Sequence, residues 1–379
     1  MVSPLRVGIF LVAIGIGTVV AGDVTISNVE PRRDVEGELM DVHDGNIVQW
    51  SEDGLYYWYG MGYKNCSLER GLLPPRDCPG VYLPAGHCGF RTDHAINVYT
   101  SPDLVRWTFR GEALPLLSRP RGIYFRPKVI FHSQRQEYIL WVNYLPPAFD
   151  PILSYRHASY VVAISKSAGG PFRVVTQNAS VQFSGGGDFD LFVDTDGQGY
   201  IAYDAWSDGH RVVVERLSAD YRGALGAAAT TGFISPPGNE APALFERHGW
   251  YYLLFGHVCC FCRSGSNVAV WAARHPLGPW NNTGTDIGGR PGLIDGGKSY
   301  TKSQENSVFK ARLVGGSFAY VWTGDRWGSA PDGLKSHDAQ YWQPLSFVDG
   351  VEEASQAPQI EALRWVDAFS LPLASEMFV

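Results

Sequence analysis

The sequence predicts an all-β chain folded as a five-bladed β-propeller, and three observations carry that reading. One pattern recurs five times: a short apolar run, a turn, then an aromatic strand. Strand-like runs bounded by Gly, Asp and Pro turns dominate, and helical periodicity is scarce after the N-terminal apolar stretch. A polar cluster stands just ahead of each apolar run, with Asp44, Phe125, Asp188, Glu240 and Gln304 three or four places before it.

The repeats follow in order. Ile47-Val48 precedes Leu55 to Gly60 (LYYWYG), and Val129 to Phe131 precedes Glu137 to Val142 (EYILWV). Leu191 to Val193 precedes Gly199 to Asp204 (GYIAYD), and Ala243 to Phe245 precedes Trp250 to Gly256 (WYYLLFG). The fifth is Val308-Phe309 with Phe318 to Gly324 (FAYVWTG). Third strands are predicted at Ile96 to Thr100, Tyr160 to Ser165, Arg211 to Leu217 and Val268 to Ala273. Several run into similar codas, SPDLVRW from Ser101, SAGGPF from Ser167 and HPLGPW from His275. Three or four antiparallel strands recurring every 50 to 80 residues or so are the signature of propeller blades. A β-sandwich also uses many short strands, but nothing in it requires repeated triplets. The toroid is expected to close through Gln340 to Phe347 (QYWQPLSF), with the strand near Asp23 to Asn28 as its partner. One propeller domain over residues 22–379 is expected, because no Pro/Ser-rich linker divides it.

With 379 residues the chain can bury a sizeable core. Its formal charge of −7 and lack of a basic stripe argue against nucleic acid as partner. The 12 Trp and 19 Tyr suit strands, and flat rings are also what sugar faces stack on. Residues 1–21 read as a secretory signal peptide: Arg6 supplies one positive charge, an apolar stretch follows, and Val19-Val20-Ala21 is a small-x-small ending. A secreted protein follows from cleavage after Ala21; a signal-anchored form within the secretory pathway is the alternative. Six cysteines fit an oxidising compartment, with Cys66, Cys78 and Cys88 in one insert and Cys259, Cys260 and Cys262 in another. Their pairing is left open; HVCCFC (His257 to Cys262) lacks the Cys-x-x-Cys spacing of zinc sites. Sequons begin at Asn65, Asn178 and Asn281.

In a propeller the inner strands line the central channel, so their beginnings converge on the axis. Asp44, Asp188 and Glu240 would then meet in an aromatic-lined pocket, the equipment of glycoside hydrolysis: one carboxyl protonates the leaving oxygen and another deprotonates water. Crowding and partial burial keep one carboxyl protonated near neutral pH. Asp41 and Asp190 compete for these roles. Arg126 and Arg326 are candidate donors to sugar hydroxyls or clamps on Glu240, with a structural ion pair as the ordinary alternative. Trp141, Trp206 and Trp327 are candidate stacking platforms or core residues. His43, His94 and His257 show no metal-ligand spacing, and Gly185-Gly186-Gly187 precedes a strand, so it serves close backbone approach rather than phosphate binding.

The local sequences Asp44-Gly45-Asn46-Ile47, Gly187-Asp188-Phe189-Asp190-Leu191-Phe192 and Asn239-Glu240-Ala241-Pro242-Ala243-Leu244-Phe245 resemble the three catalytic motifs of glycoside hydrolase family 43. Tyr56 to Gly60, Arg126-Pro127-Lys128-Val129, Gln304, Asp325-Arg326-Trp327 and Pro344-Leu345 are most similar to its exo-β-1,3-galactanase branch. The resemblance runs from about Asp41 to Phe347. It implies Glu240 as general acid, Asp188 as the residue that orients and tunes it, and Asp44 as general base of an inverting reaction. It also implies a substrate site including Tyr124, Phe125, Arg126, Gln304, Arg326 and Trp327. The galactanase branch uses a glutamine, here Gln304, toward the catalytic water and tends to lack the aspartate, so Asp44 and Gln304 both remain candidates for that role. It carries a glutamate where this chain has Phe125, which bears on the sugar accepted. No cofactor is required; family members often hold an axial calcium with a histidine nearby, and with Gln304 at that place a structural calcium ion is an option. The expected partner is an oligo- or polysaccharide containing galactose or arabinose, acted on by a monomer. A non-catalytic carbohydrate-binding propeller and a cell-surface interaction module are the alternatives.

Overall fold

The computed structural model describes residues 22–63, 91–146, 155–258, 264–289, 300–326, 340–348 and 356–374. The signal segment, all six cysteines, the Asn65 sequon and Trp327 lie outside the described residues. The first described strand, β1 (Gly22–Ser27), pairs antiparallel with the last, β22 (Ala368–Leu373). Between them the repeats form five antiparallel sheets, each with the first strand of its repeat innermost.

Blade one is β2 (His43–Gln49), β3 (Tyr56–Gly62), β4 (Ala95–Ser101) and β5 (Thr108–Glu112). Blade two is β6 (Ile123–His132), β7 (Glu137–Leu145), β8 (Ser159–Ser165) and β9 (Arg173–Thr176). Blade three is β10 (Gly186–Val193), β11 (Gly199–Ala205) and β12 (Arg211–Arg216), edged by single bridges from Glu215 to Thr230 and Leu217 to Ala224. Blade four is β13 (Asn239–Arg247), β14 (Trp250–His257), β15 (Ala269–Ala273) and β16 (Asn281–Asp286). Blade five is β17 (Gln304–Arg312), β18 (Phe318–Asp325) and β19 (Tyr341–Pro344). A small ribbon, β20 (Phe347–Val348) with β21 (Gln359–Ile360), follows it. The inner strands touch in cyclic order, β2 to β6 to β10 to β13 to β17 and back to β2, which closes the ring.

Alternation along the strands sends apolar side chains to both faces of each blade, so the core is divided among the blade interfaces. Tyr59, Val98, Leu140 and Val161 pack between blades one and two, and Trp141, Tyr160, Ile201 and Val213 between two and three. Tyr200, Val212, Leu253 and Phe255 join three to four; Phe245, Tyr252, Trp322 and Tyr341 join four to five. Trp58, Trp107, Phe309 and Trp342 close five onto one, with Trp58 and Trp342 ring centres 5.1 Å apart. Most of the aromatic richness is therefore spent on wedges between twisted blades, where large rings fill the widening gap.

Closure differs in detail from the expectation. Tyr341–Pro344 is the third strand of blade five, and β1 pairs with β22 instead of with it. The fully buried Asn28 makes a link to it: its side chain donates to Trp342 O at 2.8 Å and Val366 O at 3.1 Å, and accepts from Trp342 N at 2.9 Å. Asn28 thus stands in for a fourth strand. Asn28→Ala leaves both backbone groups of Trp342 without these partners and is expected to cost about 2–4 kcal/mol; an unchanged denaturant midpoint would show that the clamp is dispensable.

Candidate active site

The regular pairing of every inner strand breaks near its start. The ladder skips Asp44-Gly45 in β2, Arg126-Pro127 in β6, Gly187-Asp188 in β10, Ala241-Pro242 in β13 and Asn306 in β17. These are β-bulges, which release the backbone from the ladder and re-aim side chains. Asp44, Arg126 and Ala241 take left-handed conformations with φ of 60°, 50° and 56°. Gly45 has φ 81°, and a Cβ there would lie 1.9 Å from Tyr59 O, so only glycine fits.

The five residues expected at equivalent places are not equivalent in register. Phe125, Glu240 and Gln304 lie three positions before the first re-paired residue, Asp44 two and Asp188 one. Bulging nevertheless brings four of them into one connected network. Arg126 Nε meets Asp188 Oδ1 at 2.8 Å, and Arg126 Nη1 faces Asp44 Oδ1 at 3.6 Å. The Arg126 backbone N–H donates to Asp44 Oδ2 at 2.9 Å. Gln304 Nε2 donates to Glu240 Oε1 at 2.7 Å and Asp188 Oδ2 at 3.3 Å. Facing two carboxylates fixes which end of the Gln304 amide is nitrogen. Asp44 N–H in turn donates to Asp325 Oδ1 at 3.1 Å.

Arg126 is 1% exposed, and its remaining N–H groups reach Glu305 O at 3.1 Å and Asn306 Oδ1 at 3.3 Å. Burial opposes its charge, but Asp188, Asp44 and Asp325 outweigh burial and hold the guanidinium above its ordinary range. These contacts are those of a structural ion pair, made with carboxylates instead of sugar hydroxyls. Tyr124 departs from the expected substrate site: its ring is fully buried in the core between blades one and two, and its hydroxyl donates to Pro120 O at 2.6 Å. Phe125 is 8% exposed beside His94, ring centres 6.3 Å apart. Buried Arg326 lies over the Trp365 ring at 4.8 Å. Trp141 is core, its indole bonded to Tyr221 O, whereas half-buried Trp206 stacks on Tyr155 at 5.5 Å.

One level deeper, the competitor Asp190 has a structural role, accepting from Leu244 N at 3.0 Å and facing Lys128 Nζ at 3.6 Å. The other competitor, Asp41, accepts from Tyr63 N and faces His43. Lys128 is fully buried, and its Nζ donates to Gly45 O at 2.9 Å, Asn306 O at 3.1 Å and Asn306 Oδ1 at 3.0 Å. Burial disfavours charge on both partners, pushing Lys128 down and Asp190 up. Three oxygen acceptors around Nζ are nonetheless the surroundings of an ammonium ion. These oxygens do not fit an axial calcium, which needs about six to eight of its own; the lysine already spends them. Glu305, fully buried, is pushed well up by burial and accepts from the Trp322 indole.

Two residues absent from the sequence reading join the site. Asp204, at the end of β11, accepts a 2.7 Å hydrogen bond from His210 Nδ1 in the turn before β12. Among the described residues, Asp204, His210 and Glu240 form the one group of such side chains whose oxygen and nitrogen atoms lie within 4.8 Å of each other. Since two of them already share a hydrogen bond, the group reads as a proton-sharing set. Asp204 fits behind Asp188 because residue 187 is glycine: a Cβ there would come within 2.6 Å of Asp204 Oδ2. The only legible hint was an acid ending an otherwise apolar strand.

A ring of inner-strand carboxyls, linked by a buried arginine and a shared amide at a propeller axis, is the equipment of a glycosidase. The chain belongs to glycosyl hydrolases family 43, whose model matches residues 41–289. The fold is that of solved structures in this family. An exo-β-1,3-galactanase from Clostridium thermocellum superposes with TM-score 0.71 at 23% identity, over 93% of this chain and 68% of that one. The galactose complex of an exo-β-1,3-galactanase from Phanerochaete chrysosporium gives 0.67 at 24%, over 92% and 69%. A family 43 β-1,3-galactosidase with galactodeoxynojirimycin gives 0.65 at 22%, over 90% and 99%. No curated protein matches the sequence.

Arg126→Met strands Asp44 and Asp188 and is expected to destabilise the protein by about 3–5 kcal/mol. Arg126→Lys should recover little, because one ammonium cannot serve both carboxylates and the blade-five oxygens. Denaturant unfolding of both variants checks this, and a lysine variant as stable as the parent would refute it.

Proposed function

We propose that the protein is a secreted, inverting glycoside hydrolase acting on galactose- or arabinose-containing polysaccharide, with a β-1,3-galactan as the first substrate to try. The observation that carries the proposal is the unbroken line of contacts from Asp44 through Arg126, Asp188 and Gln304 to Glu240. The names of the structural relatives support galactan, and the apolar N-terminal segment supports secretion.

Glu240, 5% exposed, is the proton donor. Gln304 occupies its Oε1 with a donated hydrogen bond, so the proton resides on Oε2 and is directed to the glycosidic oxygen. As the C–O bond breaks, the leaving sugar takes that proton and the anomeric carbon gains oxocarbenium character. Water then attacks the opposite face and gives a proton to Asp44. Asp44 Oδ1 is buried and accepts no hydrogen bond from the described residues, while Oδ2 is held by Arg126 N–H, so a water admitted beside Oδ1 with the substrate would meet an unused acceptor. Asp188, fixed by Arg126, holds Gln304 and through it Glu240.

Glu240→Gln should lower kcat/KM on β-1,3-galactooligosaccharides by about 10²–10⁴-fold. Dinitrophenyl glycosides, whose leaving group needs no proton, should be hydrolysed nearly as before. Asp44→Asn should slow both substrates, and NMR should detect the inverted anomer first. Full activity in Asp44→Asn, with loss in Gln304→Ala, would move the water to Gln304; oligosaccharide hydrolysis surviving in Glu240→Gln would remove the acid.

A further inference from the structure

We propose that His210, clamped by Asp204, is a positioning residue that sets the pH range over which Glu240 can act as proton donor; the proposal rests on Glu240 being the acid. Geometry ties the three together in two ways. Their ligand atoms lie within 4.8 Å of one another, and the Asp204–His210 hydrogen bond fixes the imidazole at its Nδ1, leaving Nε2 as its other polar atom. The backbone then fastens the turn to the acid's own strand: Gly238 N donates to Gly209 O at 2.9 Å and Asn239 N to His210 O at 2.8 Å, immediately before Glu240. His210 itself has φ 57°, in the left-handed region that few non-glycine residues adopt. Trp206 packs edge-on against the ring at 5.5 Å, and the His210 side chain is 22% exposed, so solvent reaches the imidazole.

The charges around the imidazole all favour its protonated form. Asp204 faces it from β11, Asp188 from β10 and Glu240 from β13, with Arg126 of β6 neutralising part of Asp188. The exposed His257 of β14 pairs across from Asn239. Burial pushes His210 down, but Asp204 followed by Glu240 and Asp188 raise it above the ordinary histidine value. Burial likewise lifts Asp204 to about 7, against the pull of His210, so the two titrate as a coupled pair. An imidazolium this close to Glu240 favours the carboxylate that Glu240 becomes on giving up its proton. The pair therefore eases proton donation, while confining the protonated acid to lower pH.

His210→Asn keeps a residue that tolerates the left-handed backbone but carries no charge. Asp204→Asn removes the anion that sustains the imidazolium. Both variants should move the alkaline limb of the kcat/KM–pH profile upward by about one unit on β-1,3-galactooligosaccharide and lower kcat at the optimum. Thermal melting confirms folding, and either variant alone suffices if the other does not fold. A limb unmoved in the folded variants, with only the overall rate reduced, would overturn the proposal. So would activity that EDTA abolishes and added divalent cation restores in the parent but not in the variants, which would make the pair metal ligands. The parallel Glu240→Gln profile separates the two readings: a limb that persists there removes Glu240 as the acid, whereas a limb lost there but fixed in the His210 and Asp204 variants refutes only the pair.

Discussion

One buried guanidinium governs the geometry of this molecule's axis. Arg126 sits where the inner strands of blades one, two, three and five meet, and its donors are divided among Asp44, Asp188 and blade-five oxygens. Without it, two carboxylates would share a nearly dry channel, an arrangement that protonation or unfolding would relieve. With it, they are held in fixed relation, and Gln304 carries that order on to Glu240. The planar fork is essential because a point charge cannot serve several acceptors in different blades at once.

The same principle repeats one level down with a different cation. Lys128 follows Arg126 by two residues across the bulge, and its ammonium gathers oxygens of blades one and five opposite Asp190 of blade three. Beyond it the channel becomes apolar, a cavity of about 410 Å³ lined by Ile47, Val129, Leu191, Leu244 and Val308 from the five inner strands. Lys128 and Asp190 therefore form a polar floor between the site and an apolar far mouth. Strand alternation explains the change: once the ladder resumes after the bulge, the inner strands return to their apolar pattern.

Blades were legible in the sequence because each is written in local signals: period-two apolar runs, turn residues and a repeat that survives insertions. The boundaries of the second strands differ from expectation by only a few residues, as in Glu137 to Val142 against Glu137–Leu145. What the pattern does not contain is register. A bulge changes which residue faces the axis without changing composition, so Arg126 lies in register with Asp44, and Tyr124, two residues earlier, turns into the core. Asp204 and His210 were unreadable for another reason: they come from a second strand and the turn after it, and only the packing of blade three against blade four brings them to Glu240.

These constraints explain why acidic groups can crowd the axis without mutual repulsion unfolding it. Asp44 and Asp188 share Arg126, Asp190 faces Lys128, and burial favours the neutral form of Glu305. Asp204 balances its burial with His210. Glu240 accepts a hydrogen bond from the neutral Gln304 amide, and its immediate cluster contains a histidine able to change charge near neutrality. A permanently charged neighbour such as Arg126 favours the ionised form of a carboxyl, the form a base starts from. Under the proposed mechanism, an amide and a titratable imidazole let the carboxyl be protonated before the reaction and stabilised as an anion during it, the alternation a proton donor requires.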